Sequence, residues 1–213
     1  MVNNFDLIAG HLEFKNEKTF YFVQILKRKK ENKDQKSYSR PIESFYVFSK
    51  DELMRKMPYI IEKCEMNRAR AYIKMNALDI EMVGLGTIST IVEYIRDKKW
   101  RRMSRSFNSA CGKCGKQDGF EKLYLIDLDD EYADRVDEIV GYINSLQPYD
   151  VEDKIKLIVP TQHGKHLITT GFQIDKFRQK YPAVDFHKDG NTILYFPECC
   201  SDEPDDFDLN EDE

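Results

Sequence analysis

The sequence predicts an α+β fold in two halves, and three observations carry that expectation. From Lys122 onward, short apolar runs alternate with helical patterns in the order β-α-β-β-α-β. Before Ala110, strand-like runs mix with two longer amphipathic stretches. Between them, residues 111–121 are polar, basic and glycine-containing, the composition of a connector. The expected organisation is an N-terminal αβ module over residues 1–110, the connector at 111–121, a second module at 122–200 and an acidic tail at 201–213.

In the N-terminal module, Phe5–Phe14 and Thr19–Leu26 read as two strands of a hairpin joined by the Lys15–Lys18 turn. Lys27–Arg40 is polar and charged and reads as a flexible loop, and Phe45–Phe48 as a short strand. Leu53, Met57, Ile60, Ile61 and Cys64 recur at helical spacing over Lys50–Met66, with Ser49 placed as N-cap. Pro58 inside that stretch predicts a kink or break, and Cys64 falls on its apolar face. Arg70–Met75 reads as a strand and Ala77–Trp100 as a helix, weakened at Gly84 and Gly86.

In the second module, Leu123–Leu128 is a strand, and Asp130–Leu146 a helix with Val136, Ile139, Val140 and Ile143 on one face. Lys154–Val159 and Lys165–Thr170 are strands around the Pro160–Gly164 turn, followed by a Gln173–Lys180 helix. Ala183–Phe186 is a strand, and Asp189-Gly190 reads as a hairpin turn into Thr192–Phe196. This order is the split βαβ unit of ferredoxin-like and RNA-recognition-motif-like folds, with one added strand. In that unit the first and third strands are central neighbours, and the fourth flanks the first. Apolar residues of the first strand alternate onto both faces, so both should be covered. The two helices cover one face. The N-terminal half is expected to cover the other, leaving a cleft.

Within that frame, Tyr124-Leu-Ile-Asp-Leu-Asp129 places Asp127 and Asp129 two residues apart, on one face of a strand. His166 is expected on the third strand and Asp185 on the fourth, so the topology brings all four to one face. Convergent carboxylates suit Mg²⁺ or Mn²⁺, hard cations that prefer oxygen. Gly164, Lys165 and His166 would meet a triphosphate: the glycine by allowing close backbone approach, the two bases by offsetting charge. Taken singly, an Asp-x-Asp pair usually caps a strand and a strand histidine is usually structural. The weight lies in the ordered combination.

The whole chain has a net charge of −5. Ser201–Glu213 alone carries eight acids and no base, so the rest is mildly basic, and the tail is expected to be disordered. Basic residues cluster at Lys27–Lys30 and at Lys98–Arg102 with Arg105, which points to nucleic acid or nucleotide phosphate as partner. No apolar run approaches the roughly 20 residues of a membrane span, and the N-terminus lacks the basic start and apolar stretch of a signal peptide. An odd count of five cysteines argues for reduced thiols and a cytoplasmic setting. Cys111 and Cys114 form a zinc-knuckle-like pair that Cys199 and Cys200 would complete to a structural Zn²⁺ site. Free thiols in a connector are the commoner outcome of such spacing.

The segments Leu125–Asp129, Pro160–His166 and Val184–Gly190 with Tyr195-Phe-Pro197 resemble, in order and spacing, the three motifs of the archaeo-eukaryotic primase superfamily, especially its small primase-polymerase branch. The resemblance covers about Lys122–Pro197. It implies an RNA-recognition-motif-like catalytic half packed on an N-terminal αβ half. Asp127, Asp129 and Asp185 would be metal ligands and His166 would contact nucleotide phosphates. The family's second motif usually has Ser or Gly two residues before the histidine, often within Ser-Gly-Gly. Here Gly164 holds that place and His163 precedes it, so a serine contact is missing. The implied activity is metal-dependent nucleotidyl transfer on single-stranded or primed nucleic acid from nucleoside triphosphates, with a separate helicase as further partner. Two alternatives stand beside it, a non-catalytic nucleic-acid-binding module and a metal-dependent nuclease. An RNA-binding sheet would show aromatics on its first and third strands, and only Tyr124 is available on the first.

Overall fold

The computed structural model describes residues 1–28, 39–113 and 118–198. It is an α+β molecule with two antiparallel sheets. Among the described residues, no helix is long and apolar enough to cross a membrane. Most of Lys27–Arg40, the residues 114–117 and the tail 201–213 lie outside the described residues.

The chain begins with β1 (Val2–Asn3) and α1 (Phe5–His11). The helix replaces the first strand of the expected N-terminal hairpin. Phe5, Ile8, Ala9 and Leu12 are all buried, and their spacing of three, one and three residues puts them on one helical face, not on alternate sides of a strand. The partner of β2 (Thr19–Arg28) is instead β3 (Ser39–Val47), from Tyr21 opposite Val47 to Arg28 opposite Ser39. Strand β3 is an edge strand, which accommodates Pro41 despite its missing N–H.

Helix α2 (Lys50–Asn67) starts at the expected cap: Ser49 accepts from the Glu52 N–H, and the Glu52 carboxylate accepts from the Phe48 N–H. The helix runs through Pro58 without a break, held by buried Leu53, Ile60 and Cys64. It ends where Arg68 turns left-handed. Strands β4 (Arg70–Lys74) and β5 (Leu78–Asp79) precede α3 (Ile80–Arg96), whose first N–H groups donate to the Asp79 carboxylate. A 3-10 segment (Trp100–Arg105) leads to α4 (Ser106–Lys113). The start of the expected connector, Cys111, therefore belongs to a packed helix.

The second module contributes β6 (Tyr124–Asp129), a 3-10 segment (Asp130–Arg135), α5 (Val136–Ser145), β7 (Ile155–Pro160), β8 (Gly164–Thr169), α6 (Ile174–Lys180) and β9 (Asp185–His187). These four strands form one sheet in the order β7-β8-β6-β9. The last strand, β10 (Asn191–Phe196), does not pair with β9. It enters the other sheet, whose order is β1-β10-β4-β2-β3 with β5 on β2. Asp189-Gly190 is therefore a crossing between sheets, not a hairpin turn. Lys74 Nζ lies 2.7 Å from Asp189 Oδ2, and Asn76 donates to Asp189 Oδ1 at 2.9 Å, so the N-terminal sheet holds the crossing by its carboxylate. The division at residues 1–110 and 122–200 is crossed by this strand, because the N-terminal sheet includes the C-terminal strand.

Both faces of the β6 sheet are buried, as expected. Ile126 and Leu128 pack with Val136, Ile139 and Ile143 of α5 and Phe177 of α6. On the other face Leu125 and Ile168 join a cluster with Ile8, Val23, Ile60 and Ile73 of the N-terminal half. Each such fully buried aliphatic side chain contributes roughly 1.5–3 kcal/mol, so this shared cluster binds the two sheets together.

Candidate active site

The register of β6 brings three of the sequence candidates side by side. Asp127 stands directly opposite His166 on β8 and directly opposite Asp185 on β9. Residues opposite one another share a face, so the carboxylate, imidazole and second carboxylate project together. Asp129, two residues along, shares that face and is exposed. Asp127 and Asp129 line a cavity of about 360 Å³, together with Leu125, His163, His166 and His187. Asp185 shares the face but is not one of the residues bounding the cavity.

The opposing wall comes from the N-terminal sheet. Arg28 ends β2 and Arg70 begins β4, while Tyr72 of β4 and its partner Ile193 of β10 complete this wall. Arg28 donates to the Tyr72 hydroxyl at 3.4 Å. The Arg70 guanidinium lies 4.0 Å from the centre of the Phe196 ring and donates to Gln162 Oε1 at 3.4 Å. The cavity thus has carboxylates on one side and guanidinium groups on the other.

His166 ties these walls together. Its Nε2 lies 3.3 Å from Asp127 Oδ1 and its Nδ1 2.9 Å from Thr192 Oγ1. Asp127 belongs to one sheet and Thr192 to the other. The ring is mostly buried, while the Asp127 side chain keeps 36% of its surface exposed. The hydrogen-bonding contact from His166, and then the positive charge of His166, His187 and Arg28, hold the Asp127 carboxyl below its ordinary 3.8 against the opposing effect of burial. Asp127 is therefore a carboxylate at neutral pH.

Gly164 is required by the packing of the two strands. It pairs with Asp129, and a Cβ built on it would stand 1.9 Å from the Leu128 carbonyl oxygen. The glycine permits β8 to close on β6. Lys165 pairs with Leu128, whose side chain is buried against α5 and α6, so Lys165 projects to the helix-covered face, away from His166. Lys165 and His166, expected together at a triphosphate, thus stand on opposite faces of β8. The cations that do face the carboxylates, Arg28 and Arg70, were not singled out as site residues. Arg28 carried a signal within the Lys27–Lys30 cluster, whereas Arg70 and Thr192 carried none, because their role arises from pairing between distant strands.

An all-oxygen set of Asp127, Asp129 and Asp185 fits a hard cation in kind. All three share one face of neighbouring strands, and Asp127 is held ionised. Among the described residues, no three His, Cys, Asp or Glu side chains are already gathered at ligand geometry. Of the zinc candidates, Cys111 is buried in an apolar cluster with Phe20, Phe22, Leu78 and Val83. Its carbonyl accepts from Lys74 Nζ. Cys114, Cys199 and Cys200 lie outside the described residues.

No known family model, curated protein or solved structure matches this chain.

Proposed function

We propose that this protein is a metal-dependent nucleotidyltransferase of primase-polymerase type, adding nucleotides to a single-stranded or primed nucleic-acid strand. The observation that carries the reading is the direct pairing of Asp127 with both His166 and Asp185 on the wall of a cavity faced by Arg28 and Arg70. In the same reading, the strand order β7-β8-β6-β9 with α5 and α6 on one face is the RNA-recognition-motif-like catalytic half of the superfamily that the motifs resemble.

Asp127, Asp129 and Asp185 would hold Mg²⁺ or Mn²⁺, which when bound supplies charge neutralisation and orientation for in-line phosphoryl transfer. The chain's own contribution is electrostatic and positional. Arg28 and Arg70 offset the negative charge of a triphosphate across the cavity. His166 fixes the Asp127 carboxylate and keeps it ionised, while Thr192 fixes the ring. Leu125 and Ile193 give the cavity apolar surface against which a base or sugar packs. Template, nucleoside triphosphates and a separate helicase are the partners this activity implies.

The test is to incubate the pure protein with primed and unprimed template, labelled nucleotides and Mn²⁺ or Mg²⁺. Strand growth supports the proposal. Strand shortening would indicate a nuclease, and template retention without either change a binding module.

A further inference from the structure

Helix α3 is apolar on two sides. Its inner face buries Val83 and Thr90, and Tyr94 reaches Ser109 of α4. Its outer face carries Met82, Leu85, Ile88, Val92 and Ile95, at helical intervals of three and four. Each keeps between 46% and 63% of its surface exposed. A surface helix should show polar residues there. A continuous stripe of five large apolar side chains is instead the signature of an interaction surface.

The charges at the two ends of the stripe identify the partner. Asp79 and Glu81 stand at its start, and Arg96, Asp97 and Lys98, a net positive group, at its finish. We infer that α3 pairs antiparallel with α3 of a second copy of this chain, across a two-fold axis close to Ile88. Turning the helix end for end about that point sets Met82 against Ile95 and Leu85 against Val92, with Ile88 near the axis. The same operation sets Glu81 against Arg96 and Asp79 against Lys98. One register thus pairs Met82, Leu85, Val92 and Ile95 apolar against apolar and sets Glu81 and Asp79 each against a base, while Glu93 falls against Gly84 and Asp97 against Ile80, an arrangement a two-fold isologous interface can use. The helix is about 25 Å long at 1.5 Å per residue, and the stripe runs along nearly all of it. Glu81 already lies 2.8 Å from Lys18, and Arg96 3.1 Å from Asp97. Both pairs are exposed, so the intermolecular pairs select orientation, and the apolar stripe supplies the affinity.

The experiment is sedimentation equilibrium of the full-length chain from micromolar to near-millimolar concentration. A monomer–dimer equilibrium is expected. Ile88→Glu should weaken it at least about tenfold, with an unchanged melting temperature at dilutions where both chains are monomeric, because the residue is exposed. Glu81→Arg and Arg96→Glu should each weaken self-association, and an equimolar mixture of these two variants should regain the dimer. That complementation is specific to an antiparallel two-fold pair. A wild-type chain that stays monomeric throughout overturns the inference, including the case in which the stripe instead binds anionic vesicles. A dimer indifferent to Ile88→Glu overturns it equally, as does a mixture that fails to associate.

Discussion

The Thr192 hydroxyl reaches from one sheet to the His166 imidazole of the other, with 2.9 Å between Oγ1 and Nδ1. Thr192 is fully buried and His166 nearly so. Because the Asp127 carboxylate can only accept, Nε2 carries a proton toward it, and the Thr192 hydroxyl, which can donate or accept, is the partner of Nδ1. Thr192→Val keeps the shape and removes the hydroxyl. It should cost about 1–3 kcal/mol, since a buried ring nitrogen is left without its partner. Urea denaturation measures this, and an unchanged midpoint would deny the link any structural weight.

Gly164→Ala should be among the most damaging single changes in the second sheet. The added methyl would overlap the Leu128 carbonyl, a backbone atom that cannot swing aside. Loss of about 2 kcal/mol or more is expected, as for other overpacked sites. Gly171→Ala is the control, because its nearest neighbour would be Tyr124 Cε2 at 3.8 Å, an ordinary contact. Equal melting temperatures for the two variants would refute the close-approach argument.

Glu138 provides a pH-dependent link between α5 and α6. The Arg135 guanidinium, and then the Tyr181 hydroxyl, hold its carboxyl at about 2, below its ordinary 4.5. A depressed carboxyl stabilises the fold above its unfolded value and loses that contribution as pH falls through its folded value. Glu138→Gln should therefore be less stable than the parent at neutral pH, with the gap closing between about 4.5 and about 2. The group is surface-exposed, so the gap is small and should shrink further in high salt. A gap that widens on acidification has the wrong sign for this account.

Arg28 and Lys165 separate the two faces of the sheet. Arg28→Gln should weaken nucleoside-triphosphate binding by about tenfold, the loss of one charge-assisted contact. Lys165→Gln should leave it unchanged. Isothermal titration with a non-hydrolysable triphosphate distinguishes them, and the reverse ranking would place the triphosphate elsewhere.

Much of this architecture was readable where local pattern decides structure. Ser49 and the following apolar spacing specify α2, and that periodicity outweighs the break expected at Pro58, which the helix runs through. The alternation of Leu125, Asp127 and Asp129 against Ile126 and Leu128 correctly assigned faces on β6. Reading failed where structure depends on distant pairing. Seven residues from Phe5 to His11 are too few for a distinctive period, and their helix is settled by burial of Phe5 and Ile8. Asp189-Gly190 has the composition of a hairpin turn, yet Lys74 and Asn76 capture the aspartate and direct β10 into the other sheet. The same non-local pairing brings Arg28, Arg70 and Thr192 to the site, and no spacing along the chain announces it.

The central claim is that the Asp127 carboxylate takes part in nucleotide addition, and the direct measurement is the rate of nucleotide incorporation by Asp127→Asn beside Lys165→Gln. The account predicts near-parental rates for Lys165→Gln. Asp127→Asn should lose at least about a hundredfold, the usual cost of removing a group that acts on transition-state charge, while circular dichroism reports an intact fold. Incorporation that survives Asp127→Asn at the parental rate would contradict it.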